Sequence, residues 1–283
     1  MAKSLFNRKG GTAAEMSFVD HLEALRWHIM RCLLSVFVGA IIVFVYMDFF
    51  FGEIVMGPAN KDFITYRLLC STSHRLGLGD ALCLSDINLK LISTEMSSQF
   101  MMSFTIAFVG GFIISFPYVF WEFWRFVRPA LTDKELKRTR GVIFWVSLLF
   151  FSGVGFGYFL IAPYTVNFFA AYTLSPMIQN TFTVSDYIDN IVSLVLGTGI
   201  VFQLPLVVYF LAKVGIITAT FLRTYRKFAV VVILVIAAVI TPPDVVSQLI
   251  VTVPLWLLYE ISISIAARVN KEQEQDNLPA DWS

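Results

Sequence analysis

An all-α integral membrane protein with six transmembrane helices, short fifth and sixth spans and both termini cytoplasmic is the fold class this sequence predicts, and three observations predict it. A mean hydropathy of +0.74, with 57% apolar and only 14% charged residues, lies outside the range of soluble globular chains. The apolar residues fall into runs of helix length separated by polar stretches, the pattern of repeated membrane crossings. The 21 Lys and Arg are divided unevenly. Lys61, Arg67, Arg75 and Lys90 share the loop after the first run, and all the others lie before it, between runs two and three, between runs four and five, or after run six. Cytoplasmic segments carry the excess of basic residues, so an even number of spans places both termini in the cytoplasm.

Residues 1–20 form a polar tail with no apolar period. In His21–Arg31, HLEALRWHIMR, the residues Leu22, Leu25, Ile29 and Leu33 recur at helical spacing. The helix then runs unbroken into span one, which ends near Phe51. That run is as long as a full span and no small-residue cleavage pattern follows it, so it reads as a retained helix and not a removed signal peptide. Residues 52–95 are an extramembrane loop with Pro58, Cys70, Cys83 and a Gly77-Leu78-Gly79 turn, long enough for a short helix or two.

Span two is expected from about Ser97 to Phe120, with Gly110-Gly111 inside and Pro117 near its end; Pro58 and Pro117 are assigned structural roles. Span three covers about Val142–Ala162 and continues past Pro163 towards Tyr172. Its Gly153, Gly155 and Gly157 permit close helix approach, which means packing. Span four runs from near Tyr187 to near Lys213, carrying Gly197, Gly199, Gln203 and Pro205. Span five has thirteen apolar residues, Phe228–Ile240; at ~1.5 Å per residue it is roughly 20 Å long, against a ~30 Å hydrocarbon core. The turn Thr241-Pro242-Pro243-Asp244 follows, since tandem prolines cannot continue a helix. Span six runs from Val245 to about Ala267, interrupted by Pro254 and Glu260. The membrane domain is thus 21–267, and 268–283 is a charged tail.

The stretch Phe116–Arg140 is the most decorated of the chain. It carries the aromatics Phe120, Trp121, Phe123, Trp124 and Phe126, turns at Pro129, and holds the cations Arg125, Arg128, Lys134, Lys137, Arg138 and Arg140, with Glu122 and Glu135 as acidic exceptions. On composition alone it is a solvated loop that sets topology. Gln203 and Gln248 are either interhelical hydrogen-bonding groups or docking points for another helix, because a polar side chain inside a span costs free energy unless partnered. Asp244 reads as the cap of span six. Cys70, Cys83 and His74 lack a fourth metal ligand, so a Cys70–Cys83 disulfide on the oxidising side is the better reading, with Cys32 free. No HExxH, phosphate loop or nucleophile elbow is present, so neither an enzyme, a cofactor, a metal nor a nucleic-acid partner is expected. A small-solute transporter is the alternative function and a purely structural scaffold a third; the first calls for ionisable residues near the midplane and repeated halves, and neither is visible.

Three motifs, in order, resemble one family. His21-Leu22-Glu23-Ala24-Leu25-Arg26 resembles the HLxELR start of TatC, the multispanning subunit of the twin-arginine protein translocase. Phe126-Val127-Arg128-Pro129-Ala130-Leu131 followed by Glu135 resembles that family's F-x-x-PAL…E loop. Thr241-Pro242-Pro243-Asp244 with Ser247-Gln248 resembles its TPPD…SQ turn. The resemblance spans about Ser17 to Ala267. It implies a receptor in the bacterial inner membrane that binds twin-arginine signal peptides of folded proteins and nucleates an export complex, several copies strong, with small single-span subunits of TatA and TatB type, driven by the proton-motive force. It also implies that Glu135 receives the arginine pair on a surface shaped by Phe126 and Pro129 and shared with Asp20, Glu23 and Arg26, and that partner helices dock near Gln203, Thr241 and Gln248. Guanidinium pairs call for carboxylates fixed on a surface, because charge-assisted and often bidentate bonds supply both affinity and geometry. Two departures stand out. The glutamate of HLxELR falls on Ala24, leaving Asp20 or Glu23 to replace it, or Glu135 to carry more of the binding. Gln203 stands where many members carry an intramembrane glutamate, which argues against an obligatory proton relay there.

Overall fold

The computed structural model describes residues 18–60, 62–75, 77, 90–127, 141–175, 177, 180–241 and 245–276. Ten α-helices of six residues or more fill the described chain: α1 Phe18–Val45, α2 Ile64–Arg75, α3 Ser98–Val127, α4 Val142–Phe156, α5 Ala162–Ala171, α6 Val184–Val201, α7 Leu204–Lys213, α8 Ala219–Thr224, α9 Arg226–Ile240 and α10 Val245–Asp276. A two-residue parallel ladder, β1 Leu91–Ile92 on β2 Phe182–Thr183, ties the loop after α2 to the start of α6. The end of the bundle where α1 begins is called the near end, and the opposite one the far end.

Five of the resulting segments are long and apolar enough to cross a membrane: Glu23–Val45, Ser98–Val127, Val142–Ala171, Val184–Lys213 and Ser247–Lys271. Their outward faces stay apolar, with Phe37, Val38, Phe108, Phe144, Leu148, Val207 and Val253 exposed, as a hydrocarbon solvent requires. The expected fifth span is α9, whose 15 residues give about 22 Å of helix. The expected sixth span needs correction, because it is not short. α10 is one helix of 32 residues that passes through Pro254 and Glu260 and keeps its helical conformation from Arg268 to Asp276, where a tail was expected. Val269 is buried there, Asn270 Oδ1 accepts from the Ala219 amide at 3.0 Å, and Gln273 Nε2 donates to the Lys213 carbonyl at 2.8 Å. These contacts with α7 and α8 hold the extension against the bundle.

Two of the other long segments bend where the sequence punctuates them. In the third, a π turn over Gly157–Ile161 joins α4 to α5, and Pro163 sits in the first turn of α5, where a missing amide costs nothing. In the fourth, Phe202 and Gln203 form a turn and Pro205 starts α7. By contrast α3 continues through Pro117. Thr183 and Thr218 cap α6 and α8, accepting from the amides of Asp186 (3.0 Å) and Phe221 (3.2 Å).

Small residues set the helix contacts, as packing without a hydrophobic driving force favours. A Cβ added to Gly111 would lie 2.8 Å from the Cα of Ala40, and Val43 fills the space over Gly110. A Cβ at Gly153 would meet the Phe202 side chain and the Thr198 carbonyl at 2.8 Å, and one at Gly157 the Leu194 carbonyl at 3.0 Å, so α4 lies directly on α6. Gly197 of α6 faces Ile240, the last residue of α9. Gly155 has open space before it, on an apolar groove of about 380 Å3 between α3, α4 and α6.

The far end is knitted by tyrosines. Tyr66 donates to the carbonyls of Pro58 (2.7 Å) and Pro163 (3.0 Å), Tyr158 to that of Ile54 (2.7 Å) and Tyr187 to that of Val55 (2.7 Å), while Thr65 donates to Phe159. Pro58 is fully buried in this cap, and burial pushes the Tyr66 phenol well above its ordinary value. Cys70 on α2 is disulfide-bonded and Cys32 carries a free thiol; Cys83 lies outside the described residues.

Candidate functional site

α1 and α3 pack antiparallel along most of their length. Contacts recur at steps of three and four residues, the spacing of neighbouring positions on one helix face. From the far end, Phe44 stacks on Phe104 with centroids 5.5 Å apart, and Gly39 faces Gly111. Ser115 Oγ donates to the Ser35 carbonyl at 2.9 Å, and Cys32 Sγ lies 3.8 Å from the Val119 carbonyl. The seam closes at the near end with His28 against Glu122.

Glu122 is 1% exposed, although it stands within a turn and a half of the end of α3. Its Oε2 meets His28 Nδ1 at 2.5 Å, and its Oε1 accepts from the Tyr118 hydroxyl at 3.3 Å. Two guanidiniums border the same carboxylate, Arg31 Nη1 at 3.9 Å and Arg125 Nη1 at 3.9 Å. Both arginine side chains are about half exposed, so they bridge the buried carboxylate to the surface. Arg125 also lies over the Trp121 ring, 5.6 Å from its centroid. A buried carboxylate needs such partners, because without them desolvation outweighs what its burial gains.

This cluster joins two of the three motif-bearing segments. His28 lies on the helix that carries Glu23 and Arg26, and its ring packs edge-on against Phe126, centroids 5.9 Å apart. Phe126 and Val127 end α3 and lead into the decorated loop. Glu23 and Arg26 are exposed on α1. Asp20 lies on α1 with its side chain outside the described residues, and so do Pro129, Glu135 and Asp244 altogether. The structure therefore brings the helix that carries the α1 motif, two residues past that motif, against the first residue of the loop motif. Sequence reasoning named Glu122 as an acidic exception, yet missed its burial and its pairing with His28. The signal present was the helical spacing of Glu122 with Arg125 and of His28 with Arg31.

The three residues expected at a partner-docking track each bond to a different neighbour within the chain. Gln203 is buried and its Nε2 donates to the Val146 carbonyl of α4 at 3.2 Å, leaving Oε1 with no partner among the described residues. Thr241 is buried and bonds to the Ala237 carbonyl at 2.8 Å. Half-buried Gln248 donates to the Leu234 carbonyl of α9 at 3.2 Å. The first two serve the bundle interior. Among the described residues no group of three or more His, Cys, Asp and Glu is placed to hold a metal ion.

The family model for Sec-independent protein translocase protein (TatC) matches residues 20–254 of the chain. A TatC from Blattabacterium sp. subsp. Periplaneta americana is 39% identical over 264 residues, 92% of this chain and 98% of the relative. A TatC from Carboxydothermus hydrogenoformans is 33% identical, covering 91% and 96% respectively. Two crystal structures of a twin-arginine translocase receptor, TatC, superpose on 88% and 87% of this chain and 99% of their own, with TM-scores of 0.63 and 0.67 at 28% and 30% identity.

Proposed function

The chain belongs to the TatC family of Sec-independent protein translocase proteins, and from that premise we propose that it is the membrane receptor for twin-arginine signal peptides within a Tat translocase. The observation that carries this reading is the contact of His28, two residues past the α1 motif on the same helix, with Phe126, the first residue of the loop motif. A receptor for two guanidiniums needs carboxylates held on one surface, and that surface is Glu135 with Glu23 or Asp20, flanked by Arg26 and shaped by Phe126 and Pro129. The fold reads as six spans, α9 being the short fifth, with both termini cytoplasmic in the bacterial inner membrane. The near end is then the cytoplasmic face, where signal peptides arrive. Small single-span subunits of TatA and TatB type, further copies of the chain and the proton-motive force complete the working complex.

Glu135→Ala is expected to abolish export of a twin-arginine reporter while the protein stays inserted at normal abundance, and Glu135→Asp to retain part of it. Normal export by Glu135→Ala removes this residue from the receptor. Crosslinking from residues 116–140 to a twin-arginine precursor separates the receptor from a solute transporter, which makes no peptide contact there. The docking site proposed for a single-span partner is the track of Gln203, Thr241 and Gln248, of which half-buried Gln248 on the α9–α10 face is the most open. Cysteine crosslinks from the partner that fall on α1 and α3 alone overturn that placement.

A further inference from the structure

We propose that Glu122 is a positioning residue of the signal receptor: its buried charge offsets part of the field of Arg31 and Arg125, so that a cationic signal can approach a surface already lined by arginines. The proposal rests on the receptor reading above and adds to it a residue that none of the three motifs contains.

The need for such a residue follows from the placement of charge. Arg26, Arg31 and Arg125 are all exposed or half exposed around the near ends of α1 and α3, and guanidiniums stay protonated at any working pH. The first-helix motif has Ala24 where its family pattern has a glutamate, so one negative charge is missing from the same neighbourhood. Glu23 precedes His28 by five residues, about 7.5 Å along the helix axis. A twin-arginine segment held there lies roughly one Debye length from the Glu122 cluster at 0.1 M salt, about 10 Å, close enough to feel its net charge.

Glu122 is built to supply that charge and not to bind the signal itself. At 1% exposure it offers no open face to a peptide. His28 and Tyr118 occupy its two oxygens at 2.5 and 3.3 Å, while Arg31 and Arg125, both about half exposed, stand at 3.9 Å. The carboxylate is shielded from solvent, so its field is weakened less by mobile ions than that of a surface charge. The His28 ring then carries the geometry onward to Phe126, which fixes where the loop begins relative to Glu23.

The test uses the full chain in lipid nanodiscs and a synthetic twin-arginine signal peptide, with a twin-alanine peptide as reference. Glu122→Gln, which keeps the size and hydrogen-bonding reach of the side chain, is expected to weaken twin-arginine binding about tenfold at low salt, with the loss shrinking as salt is raised. Adding Arg125→Gln to Glu122→Gln restores binding to within about twofold, while adding Arg67→Gln, which removes an exposed charge on α2 at the far end, does not. Arg125→Gln alone, at an exposed residue, tightens binding about threefold and reports even where Glu122→Gln fails to fold. Unchanged binding by Glu122→Gln, or a loss that neither salt nor Arg125→Gln relieves, overturns the proposal and leaves Glu122 a packing group. Wild-type protein that does not distinguish the two peptides overturns the receptor reading itself, a separate result.

Discussion

Gly39 and Gly111 face each other across the α1–α3 seam so closely that a Cβ on Gly39 would stand 2.8 Å from the Gly111 carbonyl oxygen. The two backbones are in contact there, and no side chain fits between them. Gly39→Ala or Gly111→Ala is therefore expected to destabilise the fold by about 1–3 kcal/mol, the cost of overpacking a tight contact. Gly155→Ala, which opens onto free space, is the control and should change little. Thermal melting of the three variants in one detergent checks the ranking.

Tyr66 holds two segments of the far end through one hydroxyl. Tyr66→Phe should cost about 1–2 kcal/mol, because two carbonyls lose a donor. The raised phenol value in the fold gives the pH dependence its sign. The stability it contributes is fully present below the unfolded phenol value near pH ~10 and is lost as pH rises above it. Denaturation curves at rising alkaline pH should show a steeper decline for wild type than for Tyr66→Phe.

The disulfide of Cys70 should leave one alkylatable thiol, Cys32, among the three cysteines of the chain. Mass analysis of alkylated protein without reductant checks this, and more than one labelled thiol contradicts it. Cys70→Ser is expected to lower stability by about 2–4 kcal/mol.

Truncation after Ala267 should loosen α7 and α8, since it removes buried Val269 and the side chains of Asn270 and Gln273. Hydrogen exchange at the Ala219 amide reads this directly. Asn270→Ala alone should speed it by about five- to tenfold, the equivalent of ~1 kcal/mol of lost hydrogen bond.

Much of the fold was legible because apolar run length and glycine spacing are local signals. The close packing at Gly153 and Gly157, the continuation of span three past Pro163 and the shortness of α9 all follow from them. What stayed hidden depends on which helices meet. Gly39 is unremarkable until Gly111 lies opposite, and Glu122 reads as a loop edge until His28 and Arg31 arrive from another helix. The end of α10 was hidden for a different reason. Charge after Ala267 suggested a tail, whereas Ile263, Ala266 and Val269 continue a buried stripe at helical spacing, and the Glu and Gln residues beyond are good helix formers. Pro254 misled similarly, because a long helix packed along α7 tolerates one lost amide bond. At the candidate site the motifs announced Phe126, Glu23 and Arg26, and the buried carboxylate of Glu122 paired with His28 became visible only in three dimensions.

Ile240 ends α9 against Gly197, which lies about thirteen residues, or ~20 Å, into α6 from Val184. Asp186 and Asp189 mark the polar opening of α6, so α9 stops roughly 10 Å beneath the level at which its neighbour enters hydrocarbon. A bilayer that thins to match the length of α9 leaves an insulating layer beside it nearer ~20 Å than ~30 Å thick. A membrane voltage falls across insulator and not across water. The same 100 mV, worth about 2.3 kcal/mol per elementary charge, is therefore compressed into two thirds of the distance beside α9, and the electric force on any charge crossing there is half as large again as elsewhere in the bilayer.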